Sequence, residues 1–173
     1  MEKLLVQANP NIDIKDIKYT FHENDHGGGT KYFSHEIEKE NEIYKLFRTN
    51  LENKVEFIPT LIKNKQIKPG RSHIGLITPH HRALWNQIGP GIACKFYPQR
   101  HNYDFNEGGE LNFMQVNKDD VLRIKGLLPQ SNRMIIFNSQ ILNRECPFFE
   151  KTKDVINFEF ERFDDWVGET ILT

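Results

Sequence analysis

Cysteine is nearly absent: Cys94 and Cys146 are the two the chain holds in 173 residues. That is too few for the disulfide framework of a small secreted domain, and both read as small buried hydrophobes. No apolar run approaches the roughly 18 residues of a membrane span. The opening MEKLLVQANPNID carries an apolar stretch too short for the core of a signal peptide. A basic excess is also missing, with 23 Lys and Arg against 24 Asp and Glu and a formal net charge of −1. Arg82, Arg100, Arg123, Arg133 and Arg144 are scattered without a basic stripe, so nucleic acid is not an expected partner. Gly27-Gly28-Gly29 is not followed by Gly-Lys-Ser/Thr, which excludes a P-loop. No Ser or Cys stands in a nucleophile motif, and Cys146 beside Pro147 has no evident base. The expected setting is soluble and reducing, a cytoplasm or a virion, without membrane contact. Histidine is absent from the last third of the chain: all seven lie at or before His101.

What the chain does have is material for one core. Hydrophobic residues make up 38% of it and 13 are Phe, and a chain of this size buries roughly 70% of its unfolded surface. The expectation is a single domain over 1–173, with 1–54 as N-terminal helical and loop support, 55–163 as a β core and 164–173 as a tail. LLVQA reads as a first strand. HENDHGGGT at His22–Thr30 reads as a solvated loop rather than a metal cluster, because three glycines in a row hold neither helix nor strand. Ser34 as N-cap, an acidic first turn and Ile43, Tyr44, Phe47 and Leu51 at helical spacing predict an amphipathic helix over 36–53.

After that the period changes. VEFIPTLI is a strand or short helix, Lys68–Gly70 a turn and SHIGLITPHH a strand, which would send His80 and His81 to opposite faces. Ile92–Tyr97, Leu111–Val116, Val121–Leu128, Met134–Phe137 and Val155–Phe163 read as further strands between Pro, Gly, Asn and Asp breaks. VINFEFERF alternates with period two at its end, as a half-buried antiparallel strand does. Phe96, Tyr97, Phe113, Phe137, Phe148, Phe149, Phe158 and Phe160 read as core. His101 and Asp104 read as turn residues. One helix followed by many short strands gives an α+β, mainly β chain. The richness in Asn, Ile, Lys and Phe fits an AT-rich genome such as that of a phage or a marine bacterium.

Three stretches in this order resemble a known family. FYP at Phe96–Pro98 is followed by a polar connection and Gly108-Gly109-Glu110-Leu111. Pro129 then precedes Asn132-Arg133 and the IIF of Ile135–Phe137. Before them, GGGT leads into an aromatic, a His and an acidic helix. Together they resemble the 2-oxoglutarate and Fe(II)-dependent dioxygenases, in particular short prolyl-4-hydroxylase-like members. The resemblance implies a double-stranded β-helix (jelly-roll) with the N-terminal amphipathic helix packed on it. It also implies a metal held on one face by an H-x-D/E pair and a later His, and a basic residue gripping the far carboxylate of 2-oxoglutarate.

The positions that match that pattern depart from it. His81 stands for the first ligand, Ala83 occupies the carboxylate position, and Asn143 in ILNRE stands where the second His belongs. Lys153 falls at the co-substrate anchor, where Arg is usual, and holds a carboxylate as a point charge rather than a fork. Glu145 shares the side of Asn143 by strand alternation and is the candidate substitute ligand. The favoured reading is a non-catalytic dioxygenase-fold module for binding or assembly, phage-encoded as one option, with a protein partner or self-assembly and no cofactor. The alternative is an active oxygenase with Fe(II) and 2-oxoglutarate on a rearranged site of His81 and Glu145. A third possibility is an unrelated jelly-roll of cupin or capsid type.

Overall fold

The computed structural model describes residues 5–8, 20–25, 31–54, 63–64, 67–98, 105–116 and 122–162. Among them the chain builds two antiparallel sheets and one helix: β1 Leu5–Ala8, β2 His22–Asp25, β3 Lys31–Glu36, α1 Glu42–Lys54, β4 Ile67–Ile77, β5 Gly91–Tyr97, β6 Leu111–Val116, β7 Leu122–Leu127, β8 Arg133–Asn138, β9 Leu142–Glu145 and β10 Lys153–Arg162. The larger sheet runs β1-β8-β5-β10-β4-β3-β2 and the smaller β7-β6-β9. Three strands of the larger sheet therefore come from residues 1–54. VEFIPTLI, the glycines of the GGGT loop, His101, Asp104 and the tail lie outside the described residues.

The larger sheet is covered on both faces, which is why IACKFY reads as a nearly continuous apolar run. Alternation sends Ile92, Cys94 and Phe96 to one face and Ala93 and Tyr97 to the other. The first face forms a core with Met134, Ile136, Ile156, Phe158 and α1. The second forms a core with Ile135, Phe137, Val155 and the small-sheet residues Leu111, Phe113 and Leu127. Helix α1 docks through Ile43, Tyr44 and Phe47, adjacent along one helical stripe. Phe47 stacks on Phe158 at 4.9 Å and meets Phe96 edge-on at 4.8 Å.

Six local expectations need correction. The helix starts at Glu42, not Glu36: β3 continues to Glu36 by pairing with His73, and the Ile37 amide donates to the Ser72 carbonyl at 2.9 Å. Asn41, not Ser34, supplies the cap, its Oδ1 accepting from the Ile43 amide at 2.9 Å, while Ser34 is buried within β3. His22–Asp25 is a strand paired with Lys31–Ser34 rather than part of a loop. Lys68–Gly70 is not a turn but the start of β4. Pro69 is tolerated there because β3 pairs only as far as His73, and the register shift between Phe158 and Phe160 bulges the ladder beside it. His80 and His81 are not on a strand: the His81 amide donates to the Thr78 carbonyl at 3.0 Å, closing a turn after β4. Among the aromatics, Phe149 is 70% exposed, because Phe148 beside it takes the inward position.

Candidate functional site: a buried ion cluster beneath an open cavity

The interior face of the larger sheet carries polar residues among its apolar ones. Lys95 on β5 pairs in register with Asn157 on β10, which pairs with His73 on β4. Tyr97 follows Lys95 by two and lies on the same face. Lys153 opens β10. From the small sheet, Glu145 at the end of β9 reaches toward them.

These groups converge on one carboxylate. Lys153 Nζ donates to Glu145 Oε1 at 2.6 Å. The Tyr97 hydroxyl lies 3.2 and 3.1 Å from the two Glu145 oxygens. Lys95 Nζ stands 3.3 Å from Oε2 and donates to Asn157 Oδ1 at 3.0 Å. The Lys153 side chain is fully buried and that of Glu145 is 11% exposed. Lys153 also donates to the Gly109 carbonyl at 2.5 Å and faces the Phe148 and Tyr97 rings at 5.4 and 5.8 Å.

The GGEL motif provides that carbonyl. Gly108 and Gly109 have φ of 75° and 83°, a region that side chains disfavour. The Gly109 amide is fixed by donating to the Pro147 carbonyl at 3.0 Å. A Cβ on Gly109 would lie 2.3 Å from the Phe148 ring, so the glycine admits both the turn and the phenylalanine that packs over Lys153.

Electrostatics follow from burial and proximity. Burial pushes the Glu145 carboxyl up, but Lys153, then Lys95, then hydrogen bonds from Lys153 and Tyr97 outweigh it and hold it below its ordinary value. Burial pulls the Lys153 ammonium down, and Glu145 restores only part of that. The Tyr97 hydroxyl is held well above its ordinary range by burial first and by the Glu145 charge second. Burial raises the thiol of Cys94, with Lys95 opposing it. Burial also raises Glu159, against the pull of Arg71 and Lys95.

Above the cluster lies a cavity of about 330 Å³. The sheet supplies His73, Ile77, Lys95 and Asn157 to its wall; the segment after β4 supplies His81, Leu84, Trp85 and Ile88; β9 supplies Asn143 and Glu145. Two backbone bonds between Asn86 and Asn143, both 2.8 Å, fasten that segment to β9. The Asn143 side-chain amide adds a third, donating to the Asn86 carbonyl at 3.1 Å, and donates also to the nearby Ile141 carbonyl at 3.1 Å. Arg144 lies over the Trp85 ring at 4.6 Å.

His81, Asn143 and Glu145 thus meet at one cavity, with Lys153 immediately beneath Glu145. Ala83 is half-buried in the segment between His81 and Trp85. Sequence reasoning missed Lys95 and Asn157. Their signal was a charged and an amide residue at inward positions of two otherwise apolar strands, IACKFY and VINFEF.

No family model and no curated protein matches the chain. Solved structures do. A prolyl-4-hydroxylase from Pseudomonas putida aligns with TM-score 0.60 at 13% identity, covering 82% of this chain and 77% of that one. The viral collagen prolyl hydroxylase of Paramecium bursaria Chlorella virus-1 aligns with TM-score 0.57 at 12% identity, over 76% and 75%. A 2OG-Fe(II) oxygenase family oxidoreductase from Burkholderia pseudomallei aligns with TM-score 0.58 at 8% identity, over 83% and 73%.

The described residues include the positions matched to the family's iron pattern, His81, Ala83 and Asn143. Among them no three His, Cys, Asp or Glu side chains are grouped to hold an ion. At the matched positions Ala83 offers no donor atom and the Asn143 NH₂ is spent on two backbone carbonyls, while Glu145 is held by two ammonium groups and a phenol. In architecture, however, this chain has the double-stranded β-helix fold of the prolyl-4-hydroxylase-like and other 2-oxoglutarate/Fe(II) oxygenases.

Proposed function

We propose that the chain is a non-catalytic module of the dioxygenase fold that works by binding. The observation that carries this reading is the employment of Asn143. A residue at the position of the second metal imidazole instead ties the 81–88 segment to β9 through its amide. Three departures from the family pattern, Ala83 at the carboxylate position, Asn143 at the second imidazole and Lys153 where Arg is usual, support the same reading, and of these Asn143 lines the cavity. At the matched positions His81 is the one imidazole, and by itself it is a weak hold on Fe(II).

The cavity itself supports recognition. Trp85, Leu84 and Ile88 give it an apolar side, and Asn157, His73 and Lys95 a polar one, the mixture that specific binding sites present. The occupant in this reading is a segment of a protein partner or of a second copy of the chain, and the module serves assembly rather than turnover.

The competing reading, an oxygenase using His81 and Glu145, draws on the fact that both line the same cavity. Turnover separates the two. Purified protein incubated with 2-oxoglutarate, Fe(II), ascorbate and oxygen is expected to release no succinate above the protein-free control. Succinate release that is abolished in His81→Ala would overturn the non-catalytic reading and make the cavity an active site.

A further inference from the structure

Glu145 sits in a seat whose chemistry is that of a carboxylate receptor. Lys153 contacts one oxygen at 2.6 Å, Lys95 the other at 3.3 Å, and the Tyr97 hydroxyl reaches both. Charge-assisted bonds of this kind are the strong ones. The cations and phenol stand on the large sheet, whereas the carboxylate arrives from the opposite, smaller sheet. Lys153 cannot turn to water, since its side chain is fully buried and its remaining contacts are the Gly109 carbonyl and two rings. Glu145, in contrast, lines the cavity. The seat therefore opens onto the cavity through the space that the Glu145 side chain fills.

We propose that Glu145 is a built-in anion: it fills a carboxylate-binding seat made by Lys153, Lys95 and Tyr97, so the native chain takes no free carboxylate there, and loss of its side chain turns the seat into a site for a small carboxylate ion. Truncating Glu to Ala deletes one methylene and one carboxylate, the heavy atoms of acetate. An acetate entering from the cavity restores the charge that Lys153 lacks in the truncated protein. The inference rests on the non-catalytic reading only in that no metal competes for Glu145.

The probe is sodium acetate, with sodium chloride at equal ionic strength as the control. Acetate is expected to raise the melting temperature of Glu145→Ala saturably, by about 5 °C or more beyond its effect on the native chain, as ligand binding to the folded state does. In Glu145→Ala combined with Lys153→Met that excess is expected to disappear. An acetate effect equal to that of chloride, or one that survives Lys153→Met, would overturn the proposal. If Glu145→Ala is insoluble, refolding from urea gives the same reading. Recovery in acetate but not chloride supports the seat, and equal recovery or equal failure in both contradicts it. A stoichiometric Fe(II) site that persists in Glu145→Ala would sink the non-catalytic reading and leave this result standing. Absence of the acetate response in a metal-free protein would sink this inference alone.

Discussion

Glu145→Gln is expected to cost the fold about 3–5 kcal/mol, the penalty of leaving a buried charge without its partner. The substitution preserves shape, so the loss is electrostatic. Lys153 has no route to solvent, and the Gly109 carbonyl alone does not neutralise it. Replacing both partners by apolar residues of similar size, Glu145→Leu with Lys153→Met, is expected to cost far less than either change alone, because desolvation and attraction are removed together. Urea unfolding of the two singles and the double gives the coupling directly.

The same pair sets an acid limb. The folded carboxyl lies below its ordinary 4.5, so its contribution to stability is complete above that value. It is lost as pH falls through the lower folded value. Native protein should lose stability across that window, and Glu145→Gln should lack this part of the decline. Equal acid limbs in both would show that the carboxylate is not ionised in the fold.

The second large effect is expected at Gly91, the first residue of β5. A Cβ there would stand 1.9 Å from the Phe160 carbonyl oxygen, with Glu161 Cα at 3.3 Å. Both neighbours are backbone of β10, so no side chain can rotate aside, and the β5–β10 ladder must open at Gly91↔Glu161. Overpacking usually costs about 1–3 kcal/mol, and Gly91→Ala is expected at the top of that range or above it. At Gly89, two residues earlier, an added methyl would meet nothing within 4 Å, and Gly89→Ala should stay within about 0.5 kcal/mol. Equal midpoints for the two variants in urea would refute the close packing of β5 on β10.

Much of the architecture was legible because it is periodic. IACKFY, LNFMQV, RMIIF and VINFEF each announced a strand, and Ile43, Tyr44 and Phe47 the buried face of α1. The order of FYP, GGEL and NR…IIF was enough to suggest the sheet arrangement that the solved structures share.

What escaped the sequence was decided by pairing between distant segments. Glu36 belongs to a strand because His73 lies opposite it, which nothing between residues 31 and 42 announces. Pro69 and Gly70 have the composition of a turn, yet a bulge beside β10 accommodates them. The ion cluster was invisible as a unit, since Tyr97 and Glu145 are 48 positions apart. Lys95 in an apolar strand was a cue, but its partner was fixed only when β9 came to face β5. The matched positions behaved similarly: Asn143 was readable as a missing imidazole, while its role in holding Asn86 required the fold.

Whether the cavity has lost its iron is decided by anaerobic equilibrium dialysis of the native chain against Fe(II), with metal content read by mass spectrometry. No iron is expected to be retained at micromolar free metal, with or without 2-oxoglutarate. One equivalent of iron per chain, lost in His81→Ala, would contradict the non-catalytic reading.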